Sequence, residues 1–260
     1  PKSLSTPNLS FTGTGLLYTP GTTFTVTPTL TSISVTGSAT AARGLILTDN
    51  LLTSSLIYLG GDGSGLITAS FGTIFKPDVY VTNTGSAQVS FLTSTLSSLS
   101  FISSSNVNWN NTGSQTLTIS KSLALTSSMS TTATPNLLLS GSGFNSLILA
   151  NEPLRTGTLT INTPNILNVS GSILSNAAVT ITSSSVSTQN NFSSSGLVTI
   201  DGRGRLTPSG SIFFAGSVAL TSGSINLGST TTNTISQSLT ISSGSISASS
   251  DLSVGTLVIA

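Results

Sequence analysis

Thr158-Leu159-Thr160-Ile161 is the first clear copy of the phrase that decides the fold of this chain. The phrase recurs to the end of the sequence as Ala178-Val179-Thr180-Ile181, Leu197-Val198-Thr199-Ile200, Ser217-Val218-Ala219-Leu220, Ser238-Leu239-Thr240-Ile241 and Thr256-Leu257-Val258-Ile259. The last apolar residues of successive copies are therefore Ile161, Ile181, Ile200, Leu220, Ile241 and Ile259. A nearly constant period of about 20 residues indicates a repeat architecture.

Each repeat carries two further apolar positions, separated by clusters of Gly, Ser and Asn. The second position is occupied by Ile166, Val186, Leu206, Ile225 and Ile246, and the third by Ile173, Phe192, Ile212, Ile235 and Leu252. Alternation of apolar and polar residues predicts half-buried strands, and the intervening clusters predict turns. One repeat therefore holds three short strands.

A strand of three or four residues buries its apolar face only when like strands stack above and below it. The sequence thus predicts an all-β fold, a three-sided right-handed parallel β-solenoid with about 20 residues per coil and coils ~4.8 Å apart. One stacked core column is expected to contain Ile161, Ile181, Ile200, Leu220 and Ile241. A β-sandwich also has many short strands but needs no equal step, and Ser, Thr and Gly disfavour a helical repeat.

The period becomes looser towards the N-terminus. Val81, Phe101, Ile119 and Leu139 still follow one another at similar steps, so we assign residues 36–260 to the solenoid. Residues 1–35 differ, because Thr alternates with other residues from Thr23 to Thr31 and Pro28 predicts an edge position. This segment is expected to cap the first coil or to act as a donor strand for another chain.

The composition restricts the class of protein. Charged residues make up 5% of the chain, against roughly 25% in ordinary globular domains, and 53 Ser and 43 Thr supply the polar surface. The 37% of hydrophobic residues argues against disorder. The net charge of +1 offers no basic stripe for nucleic acid, and no uninterrupted apolar run is long enough for a transmembrane segment. A hydroxyl-rich, weakly charged surface favours an extracellular or cell-surface location.

The residues needed for common catalytic and metal sites are scarce. The chain has no His and no Cys, and no two of its six carboxylates are separated by the length of one repeat. We therefore expect no enzyme activity, no metal and no cofactor. The densest charge cluster, Asp201-Gly202-Arg203-Gly204-Arg205, predicts a solvated turn with a local ion pair, with contact to an acidic sugar as the alternative. Gly60 to Gly65 predicts a tight turn.

The Thr-x-Thr pairs raise the alternative of an ice-binding face. Such a face needs the same pair on coil after coil, as in Thr158/Thr160, but Ala178, Val198 and Ala219 interrupt the pattern.

The repeats with Gly-Ser-Ile turns, at Gly171-Ser172-Ile173 and Gly223-Ser224-Ile225, resemble the β-helical passenger regions of bacterial autotransporters and haemagglutinin-like surface proteins. The resemblance covers about residues 115–260 and concerns architecture and composition. It implies a secreted or surface-attached adhesin or fibre component.

These observations favour a non-enzymatic extracellular structural protein, a subunit of a surface fibre, sheath or matrix. The sequence stops inside a repeat phrase, so we expect head-to-tail self-assembly into a homopolymer. The expected subunit interface joins Phe24, Val26 and Leu30 of one copy to Leu257, Val258 and Ile259 of the next. An adhesin that binds glycans or other surface proteins is the alternative, followed by a carbohydrate-active β-helix enzyme and an ice-binding protein.

Overall fold

The structure is a computed structural model in which the regular elements of the described residues are all β-strands. It describes residues 8–12, 15–18, 30–36, 43–47, 52–60, 67–71, 74–75, 77–82, 87–91, 95–102, 107–109, 116–126, 134–144, 146–149, 153–228 and 232–260. The chain forms two compact units. The first unit contains residues 1–119 and 123–135, and the second contains residues 120–122 and 136–260.

The strands described before residue 126 belong mainly to the first unit. They are β1 (Asn8–Thr12), β2 (Gly15–Tyr18), β3 (Leu30–Thr36), β4 (Arg43–Leu47), β5 (Leu52–Leu59), β6 (Ile67–Phe71), β7 (Ile74–Phe75), β8 (Asp78–Val81), β9 (Ala87–Phe91), β10 (Thr95–Phe101), β11 (Val107–Trp109) and β12 (Thr116–Leu125).

The strands described after it belong to the second unit. They are β13 (Asn136–Ser140), β14 (Ser146–Leu149), β15 (Leu154–Thr156), β16 (Leu159–Asn162), β17 (Ile166–Val169), β18 (Ile173–Ser175), β19 (Val179–Thr182), β20 (Ser185–Thr188), β21 (Phe192–Ser194), β22 (Val198–Asp201), β23 (Arg205–Pro208), β24 (Ile212–Phe214), β25 (Val218–Leu220), β26 (Ser224–Leu227), β27 (Asn233–Ile241), β28 (Ser245–Ala248) and β29 (Leu252–Ile259).

The second unit is a three-sided parallel β-solenoid, as predicted. From β13 to β23 each strand pairs in parallel with the strand three places further along the chain. Every coil therefore contributes one strand to each of three sheets. At β27 and β29 the strand of the third sheet continues directly into the strand of the first sheet. Each of these long strands therefore belongs to both sheets. The right hand of the coil stays a prediction.

The predicted core column is confirmed. Ile161 lies opposite Ile181, Ile181 opposite Ile200, Ile200 opposite Leu220, and Leu220 opposite Ile241. The first four side chains are fully buried, and Ile241 is half-buried. Stacking like side chains at each coil buries a continuous apolar interior that no single short strand could form.

One predicted apolar position is wrong, and another is buried as predicted but in a different column. Leu167, not Ile166, lies opposite Val186 and is buried, whereas Ile166 projects outward and is 61% exposed. The partner of Ile212 along its column is Asn233, because Ile235 instead lies opposite Phe214. The loops between strands differ in length at both places. At Ile166 the shift is one residue, which exchanges the inner and outer faces. At Ile235 it is two residues, so the side chain still faces inward and is fully buried.

Asn233 occupies an apolar column without leaving its amide unpaired. Its Oδ1 accepts a hydrogen bond from the Ile212 backbone N–H at 3.1 Å, and its Nδ2 donates to Ser250 Oγ at 2.9 Å. Ser175 and Ser194, also buried, donate to backbone carbonyls of the preceding coil, those of Gly157 and Ala177. These buried polar groups are tolerated in the interior because each satisfies a backbone group where a strand ends.

One corner of the solenoid is narrowed by stacked glycines. Gly204, Gly223 and Gly244 occupy equivalent places before β23, β26 and β28, and a Cβ on Gly223 would lie 2.7 Å from the Gly204 carbonyl oxygen. The coils approach so closely here that only a residue without a side chain fits.

The first unit contains two rows of parallel strands. One row is β1, β3, β5, β8 and β10, and the other is β2, β4, β6, β9 and β11. In the first row the step between paired residues is longer at the start, from Leu9 to Ile33, than at the end, from Val79 to Leu99. The longer early steps explain why the period is loose in the sequence. The predicted boundary between an N-terminal segment and the solenoid, at residues 35/36, stays a prediction. β3 runs across this boundary and pairs with β1 before it and with β5 after it.

The predicted step from Phe101 to Ile119 is wrong. The Thr126 backbone N–H donates to the Phe101 carbonyl at 3.0 Å, just as Ile102 N–H donates to the Val81 carbonyl. Leu125 rather than Ile119 therefore follows Phe101 in this row, at a longer step than the sequence pattern indicates. β12 has buried, alternating residues in both halves, Leu117 and Ile119 in the first and Leu123 and Leu125 in the second. The sequence pattern therefore fits either half of the strand opposite Phe101.

Candidate functional site

The predicted interface residues Leu257, Val258 and Ile259 all lie on β29. Leu257 lies opposite Leu239, and Ile259 lies opposite Ile241, so both belong to inward-facing columns. They are nevertheless 57% and 75% exposed. Val258 lies opposite Thr240 in an outward column. The last strand thus offers two core residues to solvent and one residue on the outer face of the sheet.

The predicted N-terminal half of the interface is described only at Leu30. Phe24 and Val26 lie outside the described residues. Leu30 begins β3 and pairs with Ser54 of β5, and from Ser32 onward β3 also pairs with β1. Most of β3 is therefore an interior strand of its sheet. The proposed donor strand, Thr22–Thr31, stays a prediction.

The predicted charge cluster forms the corner between β22 and β23. Gly202 adopts a positive φ of 60°, and the Gly204 N–H donates to the Asp201 carbonyl at 2.8 Å. Asp201 Oδ1 accepts hydrogen bonds from the Gly202 N–H at 2.7 Å and from Ser222 Oγ at 3.0 Å. These bonds, that of Gly202 first, hold the pKa of the Asp201 carboxyl below its usual value. Backbone and hydroxyl donors, rather than the predicted arginine ion pair, hold this carboxylate.

A shallow open groove of about 300 Å³ runs along this corner. It is lined by residues 202–204, 222–224 and 243–245, which are glycine and serine except for Arg203. Such a lining offers hydroxyl groups and one guanidinium to a small polar ligand but no pair of acid and base. Among the described carboxylates, Asp201 and Asp251 lie at different corners, and Asp78 lies in the first unit.

The threonines of the first sheet of the second unit form an incomplete ladder. Thr160, Thr180 and Thr199 lie in register on the outer face, Ala219 interrupts the column, and Thr240 resumes it. The neighbouring outward column contains Ala178 and Leu197, so the repeated pair that an ice-binding face needs is not regular.

Sequence reasoning missed a pair of outward tyrosines in the first unit. Tyr58 of β5 and Tyr80 of β8 lie directly opposite each other in register. They are separated along the chain by the same step as Leu59 and Val81, which was visible in the sequence and could have placed the two tyrosines together.

The described residues hold neither a candidate metal centre nor a candidate membrane-spanning helix. That part of the chain contains no group of three or more His, Cys, Asp or Glu side chains placed to bind a metal ion. It also contains no helix with the length and hydrophobicity needed to cross a membrane.

Comparisons with protein-family models, with curated proteins and with solved structures give no significant match. The resemblance to autotransporter passenger regions therefore stays a prediction.

Proposed function

We propose that the chain is a non-enzymatic, extracellular structural protein whose copies assemble end to end into a surface fibre, sheath or matrix. The observation that carries this proposal is the exposure of Leu257 and Ile259, which continue columns that are buried as far as Leu239 and Leu220. Exposed core residues on a regular strand are a ready surface for pairing with a further strand.

A second copy of the chain is the proposed occupant of this edge. A strand added to β29 in the same parallel register would cover Leu257 and Ile259 with its own inward residues, as β29 covers Leu239. Contact between two different ends of identical copies does not close on itself, so it generates a filament. The low charge of the chain, 5% of residues, supports stacking because like charges on adjacent coils would repel. Phe24, Val26 and Leu30 are the proposed partners on the incoming copy.

The surface location is supported by the same composition. Hydroxyl side chains, not charges, cover the outward positions of β19 and β20, as Thr180, Ser185 and Ser187 illustrate. Labelling of intact and permeabilised producing cells with an antibody to the chain tests this part of the proposal. Labelling that requires permeabilisation would contradict it.

End-to-end assembly is tested by comparing two aspartate variants. Ile259→Asp places a charge in the proposed interface, whereas Ile166→Asp places one at an exposed position on the side of the same solenoid. We expect wild-type protein and Ile166→Asp to form filaments in electron micrographs, with sedimentation that increases with concentration. Ile259→Asp should stay monomeric.

Two results would contradict the assembly proposal. One is a wild-type chain that remains monomeric at every concentration. The other is equal loss of filaments in both variants, because lateral rather than terminal contacts would then hold the fibre. Circular dichroism of each variant confirms that the comparison is made between folded proteins.

A further inference from the structure

A tyrosine surface lies on strands β5 and β8 of the first unit. Ile57, Leu59, Val79 and Val81 are fully buried, so the residues that alternate with them project outward from the sheet. These outward residues include Tyr58 on β5 and both Asp78 and Tyr80 on β8. Tyr58 lies opposite Tyr80 in register, and Asp78 lies two residues before Tyr80 on the same face.

The Tyr58 ring is held against the sheet by two neighbours. A Cβ built on Gly60 would lie 2.7 Å from Tyr58 Cε1 and 2.9 Å from Cζ, so the ring passes over the bare glycine backbone. Thr82 Oγ1, on the next coil, donates a hydrogen bond to the Tyr58 hydroxyl oxygen at 2.7 Å. The ring is thus fixed at both its edge and its hydroxyl before any ligand arrives, which lowers the entropic cost of stacking against it.

The polar groups of this surface have hydrogen-bonding capacity left over. Because the Tyr58 oxygen accepts from Thr82, its own O–H can donate outward. Tyr80 is 36% exposed. Asp78 keeps one carboxylate oxygen, Oδ1, buried without a hydrogen-bond partner, although the side chain is only half-buried. A carboxylate oxygen without a partner is costly to bury, so a ligand donor that reaches this carboxylate would be stabilising.

We propose that Tyr58, Tyr80 and Asp78 form a saccharide-binding site. The C–H face of a pyranose packs against the electron-rich face of a tyrosine. The hydroxyls of the sugar can donate to the Asp78 carboxylate and accept from the tyrosine O–H groups. An ammonium group also suits tyrosine and aspartate. It carries donors only, however, and would leave the two tyrosine O–H donors without an acceptor. A neutral sugar supplies donors to Asp78 and acceptors to the tyrosines. The site does not depend on end-to-end assembly.

The test is titration calorimetry of the full chain with neutral hexasaccharides of glucose, N-acetylglucosamine, mannose and xylose. We expect at least one of them to bind. Tyr80→Ala and Asp78→Asn should each weaken binding about tenfold or more, and Tyr58→Phe, which keeps the ring but loses the O–H, should weaken it less. Phe213→Ala, which removes a 54% exposed aromatic ring in the second unit, is the matched control and should bind like wild type.

Three outcomes would overturn the proposal. They are failure of the wild-type chain to bind any of the four hexasaccharides, equal binding by wild type and the site variants, and binding of a lysine-rich peptide in place of the sugars. Asp78→Asn preserves the size of the side chain, so the test remains decisive if Tyr80→Ala fails to fold.

Discussion

Replacing two isoleucines of one column by alanine tests the solenoid most directly. Ile200 and Ile259 belong to the same inward column, related through Leu220 and Ile241. Ile200 is fully buried between neighbours on both sides, whereas Ile259 is 75% exposed on the last strand. The two substitutions remove the same atoms from the same sheet, so the difference between them measures the effect of position alone.

The expected magnitudes follow from burial. Removing three carbons from a buried site forfeits about 2.4 kcal/mol of transfer free energy at ~0.8 kcal/mol per carbon. Ile181 and Leu220 are fixed by their own strands and cannot close the gap, so a cavity term raises the cost of Ile200→Ala to about 3–4 kcal/mol. Ile259 has a quarter of its surface buried, which gives a loss of about 0.6 kcal/mol and no cavity.

The assay is chemical denaturation followed by far-ultraviolet circular dichroism, at a concentration where sedimentation shows monomers. Ile200→Ala should lower the free energy of unfolding several times more than Ile259→Ala. Equal losses in the monomer would refute the reasoning, because Ile259 would then be as buried as Ile200. If copies assemble through β29, Ile259→Ala should destabilise the filament by more than it lowers the free energy of unfolding of the monomer. That result would agree with a terminal interface.

Three further predictions concern the contacts of Gly223, Asn233 and Asp201. Gly223→Ala should lower the midpoint of unfolding, since the new methyl group meets a core isoleucine and a carbonyl of the coil beside it; an unchanged midpoint would show that the corner can widen. Asn233→Ala should cost about 1–3 kcal/mol in the same denaturation assay by leaving the Ile212 N–H buried without its acceptor, and a neutral result would mean that water replaces the amide. In a carbon-detected NMR titration the Asp201 carboxyl should show a pKa below 3.8, so its stabilising contribution is present above pH 3.8 and is lost as the pH falls through the folded-state pKa. Ser222→Ala should raise that pKa only in part, because a backbone N–H is the larger cause, and full restoration of the ordinary value would contradict this ranking.

The first strand of each repeat in the second unit could be predicted from the sequence, because its inward residues recur at almost constant steps. Ile161, Ile181 and Ile200 follow one another at nearly equal spacing, and in these three copies the phrase places a Thr between two apolar residues. Period and alternation together fix which side chains face inward, and three such segments per period fix the number of sides.

The sequence could not decide the register of the second and third strands, where the corners vary in length. Ile166 and Leu167 are both apolar and adjacent, and only the pairing with Ser185 and Val186 shows which one is inside. Asn233 looks like a turn residue, yet the fold buries it because its amide replaces a missing backbone partner of Ile212.

Contacts between coils were decided by the tertiary structure alone. Tyr58 lies over Gly60 and bonds to Thr82, and Asp201 bonds to Ser222 on the next coil. A strand has the same local preferences whatever lies on the next coil, so local pattern predicts the strand but not its neighbour. Register is a property of the stack, and a shift of one residue moves every side chain to the opposite face.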